Sequence, residues 1–308
     1  MKLIRLNSFL YLFCILSVFA SCVQKPDSSV EDWNRTFINT KKLISEACLD
    51  RELILGRPFL IQYVDSSLLI YDDIGDSLFL LVDLKENDRV YRFGQKGEGN
   101  NEFLQVFAFC NMKSDSILGV YDAYKHELRE INLDKVKRGE MNFPVVFKDT
   151  LSSIKLSPTK YDAYLGLGFY ESNMLSLTDN SIGSKFFFEY PYKDSREKAI
   201  SNRLRGMAYQ GTLCSNRSLD KFLYAVCSAP IFMLFSVNKD GIEKTYELIG
   251  GYPNYVTEET GEYRSAPMSA DNKMSFTMAY ATDNYIYLLY SGKNFRDAGM
   301  DAFKANVI

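Results

Sequence analysis

Short β-type runs that recur as a meander, an aromatic-rich composition and a shortage of long helical stretches together predict an all-β fold: a β-propeller of four-stranded antiparallel blades. Aromatic residues make up 14% of the chain, with 21 Tyr and 22 Phe against a single Trp, a bias that suits pleated, half-buried surfaces. The runs 59–64, 67–71, 78–82 and 89–93 are each short, apolar and bounded by Asp, Asn, Ser or Gly. That is the pattern of antiparallel strands joined by tight turns, and these four make one meander.

The meander then repeats. Its second strand returns at 116–122, 173–179, 221–226 and 285–290. Five copies at intervals of about 50 to 60 residues suit four-stranded blades with some long loops. The outer hairpin at 80–91 aligns with 234–246, where Asp240-Gly241 supplies the positive φ that a tight hairpin turn needs. Blade two carries a looser version around 130–133. One such sheet cannot bury its faces alone, whereas a ring of them packs face to face around a channel. A β-sandwich would space its turns closely without the longer period.

The N-terminus reads as an address. Lys2 and Arg5 precede an apolar core over 9–20 that is too short for a stable membrane span and ends in Ala20-Ser21-Cys22. The segment resembles a bacterial lipoprotein signal, with Phe19 where that box usually has Leu. The resemblance implies cleavage before Cys22, a diacylglycerol on its thiol and a third acyl chain on its freed amine, enough for stable anchoring. The expected organisation is a signal peptide over 1–21, a lipidated tether and lead-in over 22–50 with Pro26, Ser28 and Ser29, and a propeller over 51–308. The expected location is the cell envelope, on the periplasmic or the surface face of the outer membrane.

A formal charge of −3 and this targeting argue against a nucleic-acid partner. Besides Cys14 and Cys22 the chain has Cys48, Cys110, Cys214 and Cys227, in a compartment that allows disulfides. Cys110 and Cys227 lie in or beside apolar runs, which favours buried thiols over bridges.

Leu55-Gly56-Arg57-Pro58, the run 68–72, and the stretch 91–103 with Phe93-Gly94, Gly97, Gly99 and Glu102-Phe103 resemble the opening of the TolB-like six-bladed β-propeller lipoproteins of Gram-negative bacteria, with NHL-like repeats. In that family a strand ends in a glycine-rich loop leading into the next blade; Asn100 stands here where Pro is usual. The resemblance implies fold and location and hardly any function. Six blades at this spacing need more chain: the fifth copy begins near Met274, and 305–308 reads as a strand opening. The expectation is a six-bladed type, C-terminally truncated to about four and a half to five blades; the alternative is that the segment 33–60 supplies strands that close a smaller ring.

Chemistry is sparsely signalled. A strand, not a helix, is expected after Gly94, Gly97 and Gly99, so the loop lacks the helix N-terminus a phosphate site uses and reads as an inter-blade turn. His126 is the only histidine, expected in a solvated turn of blade two; zinc sites and His-dependent triads lose their usual parts. Asp72, Asp122 and Asp179 read as repeat turn chemistry. No catalytic residue, metal ligand or cofactor is assigned, and Cys22 is the lipid-attachment site. Two segments interrupt the repeat: 191–211, with Lys193, Arg196, Lys198, Arg203 and Arg205 and a helix-like stretch over 196–205; and 250–270, with Tyr252, Tyr255, Tyr263, Glu258, Glu259 and Glu262. Insertions in repeat proteins gather on the binding face. The resulting expectation is a membrane-anchored module that binds a protein or glycan. The alternative is a propeller enzyme, a glycan hydrolase or lyase or a lactonase, working through carboxylates with or without calcium.

Overall fold

The computed structural model describes residues 53–73, 77–86, 89–179, 183–261, 263–304 and 306–307, together with Asn39, Lys41, Lys42, Ile44 and Glu46. The chain divides into two units, 1–40 and 41–308, and the sheets of the described residues lie in the second. The signal segment, Cys22, Cys48 and nearly all of the tether lie outside the described residues. Among the described residues no helix is long and apolar enough to cross a membrane.

Among the described residues, five sheets of three or four strands follow one another, each an antiparallel meander of consecutive strands, and none closes on itself. The first holds β1 (Pro58–Val64), β2 (Ser67–Asp72), β3 (Phe79–Asp83) and β4 (Arg89–Phe93). A parallel pair, β5 (Gln95–Lys96) and β6 (Glu102–Phe103), leads to the second sheet: β7 (Val106–Asn111), β8 (Ile117–Asp122), β9 (Glu127–Asn132) and β10 (Val145–Lys148), with helix α1 (Leu133–Lys137) before β10. The third holds β11 (Lys155–Pro158), β12 (Ala163–Leu167), β13 (Leu175–Asp179) and β14 (Gly183–Phe187). Helices α2 (Ser195–Lys198) and α3 (Asn202–Ala208) precede the fourth: β15 (Gly211–Ser215), β16 (Lys221–Val226), β17 (Ile231–Val237) and β18 (Ile242–Ile249). A hairpin of β19 (Glu258–Thr260) and β20 (Tyr263–Ser265) comes before the fifth, which has three strands, β21 (Phe276–Ala281), β22 (Ile286–Tyr290) and β23 (Asn306–Val307), with α4 (Phe295–Ala298) ahead of the last.

Local chemistry sets these boundaries. Asp65 and Ser66 both take positive φ, 42° and 57°, as the two-residue turn between β1 and β2 requires. Asp72, ending β2, accepts from the Gly56 and Arg57 N–H groups at 2.6 Å each. Asp122, ending β8, does the same for Leu104 and Gln105 at 2.6 and 3.2 Å. In both sheets the carboxylate ties down the chain entering the first strand, a role that the turn-chemistry reading did not include; Asp122 also accepts from the Tyr124 and Lys125 N–H groups at 3.1 Å each, which is turn chemistry. Asp179 differs in place: it ends the third strand of its sheet and pairs with Gly183.

That difference corrects the expected register of the third sheet. The run 173–179 leads into the third strand, and the second is β12, which the sequence concealed because Gly166 interrupts its apolar run. A Cβ there would stand 2.5 Å from Ser153 Oγ and 2.7 Å from the Tyr170 hydroxyl. Tyr170, from the next loop, supplies the bulk that a strand side chain normally would, and its hydroxyl joins Ser153 and Ser176 at 2.7 and 3.0 Å.

The core lies between successive sheets. Sheets one and two share Leu69, Phe79, Phe93, Phe103, Val120 and Ile131, and Phe79 is the hub, 5.3 Å from Phe93 and 5.0 Å edge-on from Phe103. Gly94, at φ +73°, makes room for it: a Cβ there would sit 2.5 Å from the Phe79 ring. Sheets three and four share a larger cluster that includes Leu165, Leu175, Tyr209, Tyr224 and Phe235. Aromatic pairs on this scale bury the area that holds one sheet to the next.

A candidate ligand-binding channel

The first strands of all five sheets line one cavity of about 750 Å³. Three hydrogen bonds show how those strands are aligned. Near the start of β7, the Phe107 carbonyl accepts from Lys155 Nζ at the start of β11. At the end of β7, Asn111 Nδ2 donates at 3.0 Å to the Ser215 carbonyl at the end of β15, and Gln62 Nε2 of β1 donates to Asn111 Oδ1 at 3.4 Å. The inner strands therefore run the same way along an axis. Asn111 reaches across that axis from sheet two to sheet four and stitches one end of the channel.

The lining is apolar with neutral polar residues interspersed, and Lys155 is the one charged side chain among the described residues that line it. Phe59 and Ile61 of β1 border the cavity on one side, and Met278, Tyr280 and Tyr287 of the fifth sheet border it on another. Phe59 is 57% exposed and Tyr280 44%, so the channel opens laterally into an aromatic slot. Lys155 lies 5.9 Å above the Phe107 ring centroid. Burial pushes its ammonium down to about 8, with the neighbouring Cys227 acting weakly in the opposite direction. At neutral pH the group is still mainly a cation.

Cys110, Cys214 and Cys227 are free thiols and all line the channel. Burial pushes Cys110 and Cys214 up to about 12. Cys227 is also raised by burial and donates to the Phe276 carbonyl at 3.3 Å. Protonated thiols are small hydrophobes, not nucleophiles. The Ser215 hydroxyl, at the stitched end, is buried with no hydrogen-bond partner.

The other residues singled out by sequence fall elsewhere. The glycine loop turns its carbonyls towards a cation: Lys125 Nζ donates to the Glu98, Gly99 and Glu102 carbonyls at 3.1, 2.8 and 3.1 Å. Arg129 takes the Asn100 carbonyl, while Glu102 folds back on the Gly99 N–H at 2.8 Å. A loop presenting oxygens inward is the reverse of a phosphate cradle. His126 does occupy a turn, with φ 53°, but its ring is half-buried and Nδ1 lacks a partner.

The two interruptions of the repeat come together as a cap on the sheet-three and sheet-four core. The helix expected over 196–205 is two short helices with a break at 199–201, because Ser201 starts a new helix by accepting from Leu204 N at 3.4 Å. Asn202 pins that helix down: its Oδ1 accepts from Tyr190 N at 2.7 Å, and its Nδ2 donates to the Tyr170 and Asn173 carbonyls at 3.0 and 2.8 Å. Tyr209 packs edge-on to Tyr255 at 6.3 Å and donates to Glu197 at 2.9 Å. Arg205 is 2% exposed; it donates to Glu189 at 2.7 Å and the Tyr190 carbonyl at 3.1 Å and lies 5.2 Å over the Tyr192 ring. Its Nε and the Tyr255 hydroxyl are buried without a partner. Lys193, Arg196, Lys198 and Arg203 face solvent. Glu262 lies outside the described residues. The cap's buried residues hold the interruption onto the core rather than line a site.

Among the described residues no group of His, Cys, Asp or Glu is arranged to hold a metal ion. No curated protein matches the chain significantly. Solved structures that resemble it include a Bacteroides fragilis protein described as a candidate exported protein, 11% identical, covering 84% of this chain and 86% of that one with a TM-score of 0.49. Another is an auxiliary nutrient binding protein of Bacteroides thetaiotaomicron, 9% identical, with 78% of this chain and 56% of that one covered and a TM-score of 0.42. A Bacteroides vulgatus member of the DUF4221 family is 11% identical over 71% of this chain and 62% of that one, with a TM-score of 0.39. The family model described as TolB-like 6-blade propeller-like matches residues 36–306, in agreement with the successive four-stranded sheets and with the Gly94 to Phe103 loop, and the chain belongs to that family.

Proposed function

We propose that the protein is a membrane-anchored, extracytoplasmic binding module whose ligand enters the axial channel. The anchor and the location rest on the signal pattern ending in Cys22. The binding role rests on one observation: a cavity of about 750 Å³, stitched at one end by Asn111, with an apolar lining and an aromatic slot at its side. Concave apolar sites with few polar groups are the usual form of small-molecule pockets. Nothing in the lining favours the enzyme alternative, since no carboxylate faces the channel among the described residues.

Two measurements test the two halves. For the anchor, the full chain made in a Gram-negative host takes up labelled palmitate, and Cys22→Ser abolishes the label; label on the Cys22→Ser chain refutes the anchor. For binding, the Cys22→Ser chain, purified without detergent, gives saturable fluorescence with the neutral probe N-phenyl-1-naphthylamine. Thr212→Trp, at a half-buried lining position of β15 outside the core clusters, removes the signal while circular dichroism shows the fold retained. Unsaturable binding, or binding indifferent to Thr212→Trp, refutes the channel as the site.

A further inference from the structure

On the reading that the channel is the binding site, we infer that its ligand is an aliphatic carboxylate, with the acyl chain in the apolar channel and the headgroup on Lys155. Four observations point the same way. Lys155 carries the one charge among the described lining residues, so no protein carboxylate competes for it there. Its ammonium has three donors, and the structure gives it one acceptor, the Phe107 carbonyl. The ring of Phe107 beneath it offsets part of the cost of holding a cation away from water but provides no counter-ion. A desolvated ammonium facing a cavity is thus a receptor for one anionic group, and a carboxylate can take its remaining donors.

The fourth observation is length. Lys155 is held at Phe107 and the stitch at Asn111, four residues further along β7. At about 3.3 Å per residue the cation and the stitched end are roughly 13 Å apart, the length of an extended chain of on the order of ten carbons. The cross-axis bond from Asn111 to Ser215 bounds the apolar run at that end. The neutral polar residues scattered along the walls supply no second charge that would call for a zwitterion or a diacid.

The experiment is displacement of N-phenyl-1-naphthylamine by decanoate, decan-1-ol, 2-naphthoate and 2-naphthalenemethanol at pH 7. The expected result is that decanoate displaces the probe at a concentration at least tenfold lower than decan-1-ol, and lower than 2-naphthoate. Lys155→Met collapses the acid-to-alcohol ratio towards one, and Lys155→Arg keeps most of it; circular dichroism and urea unfolding of both variants verify the fold. A ratio near one in the parent chain, or a tenfold ratio that survives Lys155→Met, overturns the inference while leaving the channel as a binding site. Stronger displacement by 2-naphthoate than by decanoate overturns the acyl chain. If the probe itself does not bind, the channel reading falls and this inference with it.

Discussion

The cap holds a buried cation and the channel a half-buried one, and the two are treated in opposite ways. Arg205 in the cap has a carboxylate from Glu189, a carbonyl from Tyr190 and the face of Tyr192 around it. Lys155 in the channel has a carbonyl and the face of the Phe107 ring, with no carboxylate among its lining neighbours. A buried charge is tolerated when it is paired and hydrogen-bonded, and is a liability when it is not. The paired cation therefore belongs to the architecture, and the unpaired one is the better mark of a site. The repeat-breaking segments, which drew attention in the sequence because they break the repeat, turn out to be the better compensated of the two regions.

The sharpest way to break this contrast is to remove both cations in turn. Arg205→Met leaves the Tyr190 carbonyl and Glu189 without their donor and should lower stability by about 3 kcal/mol in urea unfolding. A loss below half that value would mean the cap is decoration. Lys155→Met should act with the opposite sign, raising stability by about 2 kcal/mol at pH 7, because it removes a charge that folding desolvates. If both variants destabilise equally, the contrast is wrong.

Acidity sharpens the same point. The Lys155 ammonium falls from 10.5 to about 8 on folding, so between those values the unfolded chain binds the proton and the folded chain does not. Stability attributable to this residue should rise with pH across that window, and the advantage of Lys155→Met should shrink to nothing by its upper end. Urea midpoints of the two proteins measured from pH 7 to 10.5 check this; parallel curves would exclude a desolvated Lys155. Smaller effects should follow at the channel's closed end and at the glycine loop. Asn111→Ala removes the cross-axis bond to Ser215 and should cost about 1 kcal/mol. Lys125→Met, at a part-exposed position, should cost about 0.5 kcal/mol and leave probe binding unchanged. A larger loss would make the loop a structural rival to the cap.

The first meander was legible strand by strand because 59–93 alternates cleanly between apolar runs and turn residues, and local pattern is enough where each strand pairs with its sequence neighbour. The third sheet was misread because Gly166 interrupts the pattern and Tyr170 fills the gap from outside the strand, a compensation visible only in space. The channel was not legible at all. Phe107, Lys155 and Ser215 follow one another at intervals of 48 and 60 residues, and what unites them is one place in each repeat. The available signal was slight: a lone lysine between Ile154 and Leu156 at the opening of a first strand.

By itself the sequence determined the all-β class, the four-stranded period and the family, because turn chemistry and alternation are short-range properties that the chain carries in order. Only the tertiary structure decided which charges are compensated. Pairing depends on which side chains meet across an axis or an inter-sheet seam, and residues fifty positions apart in the chain carry no local trace of having met.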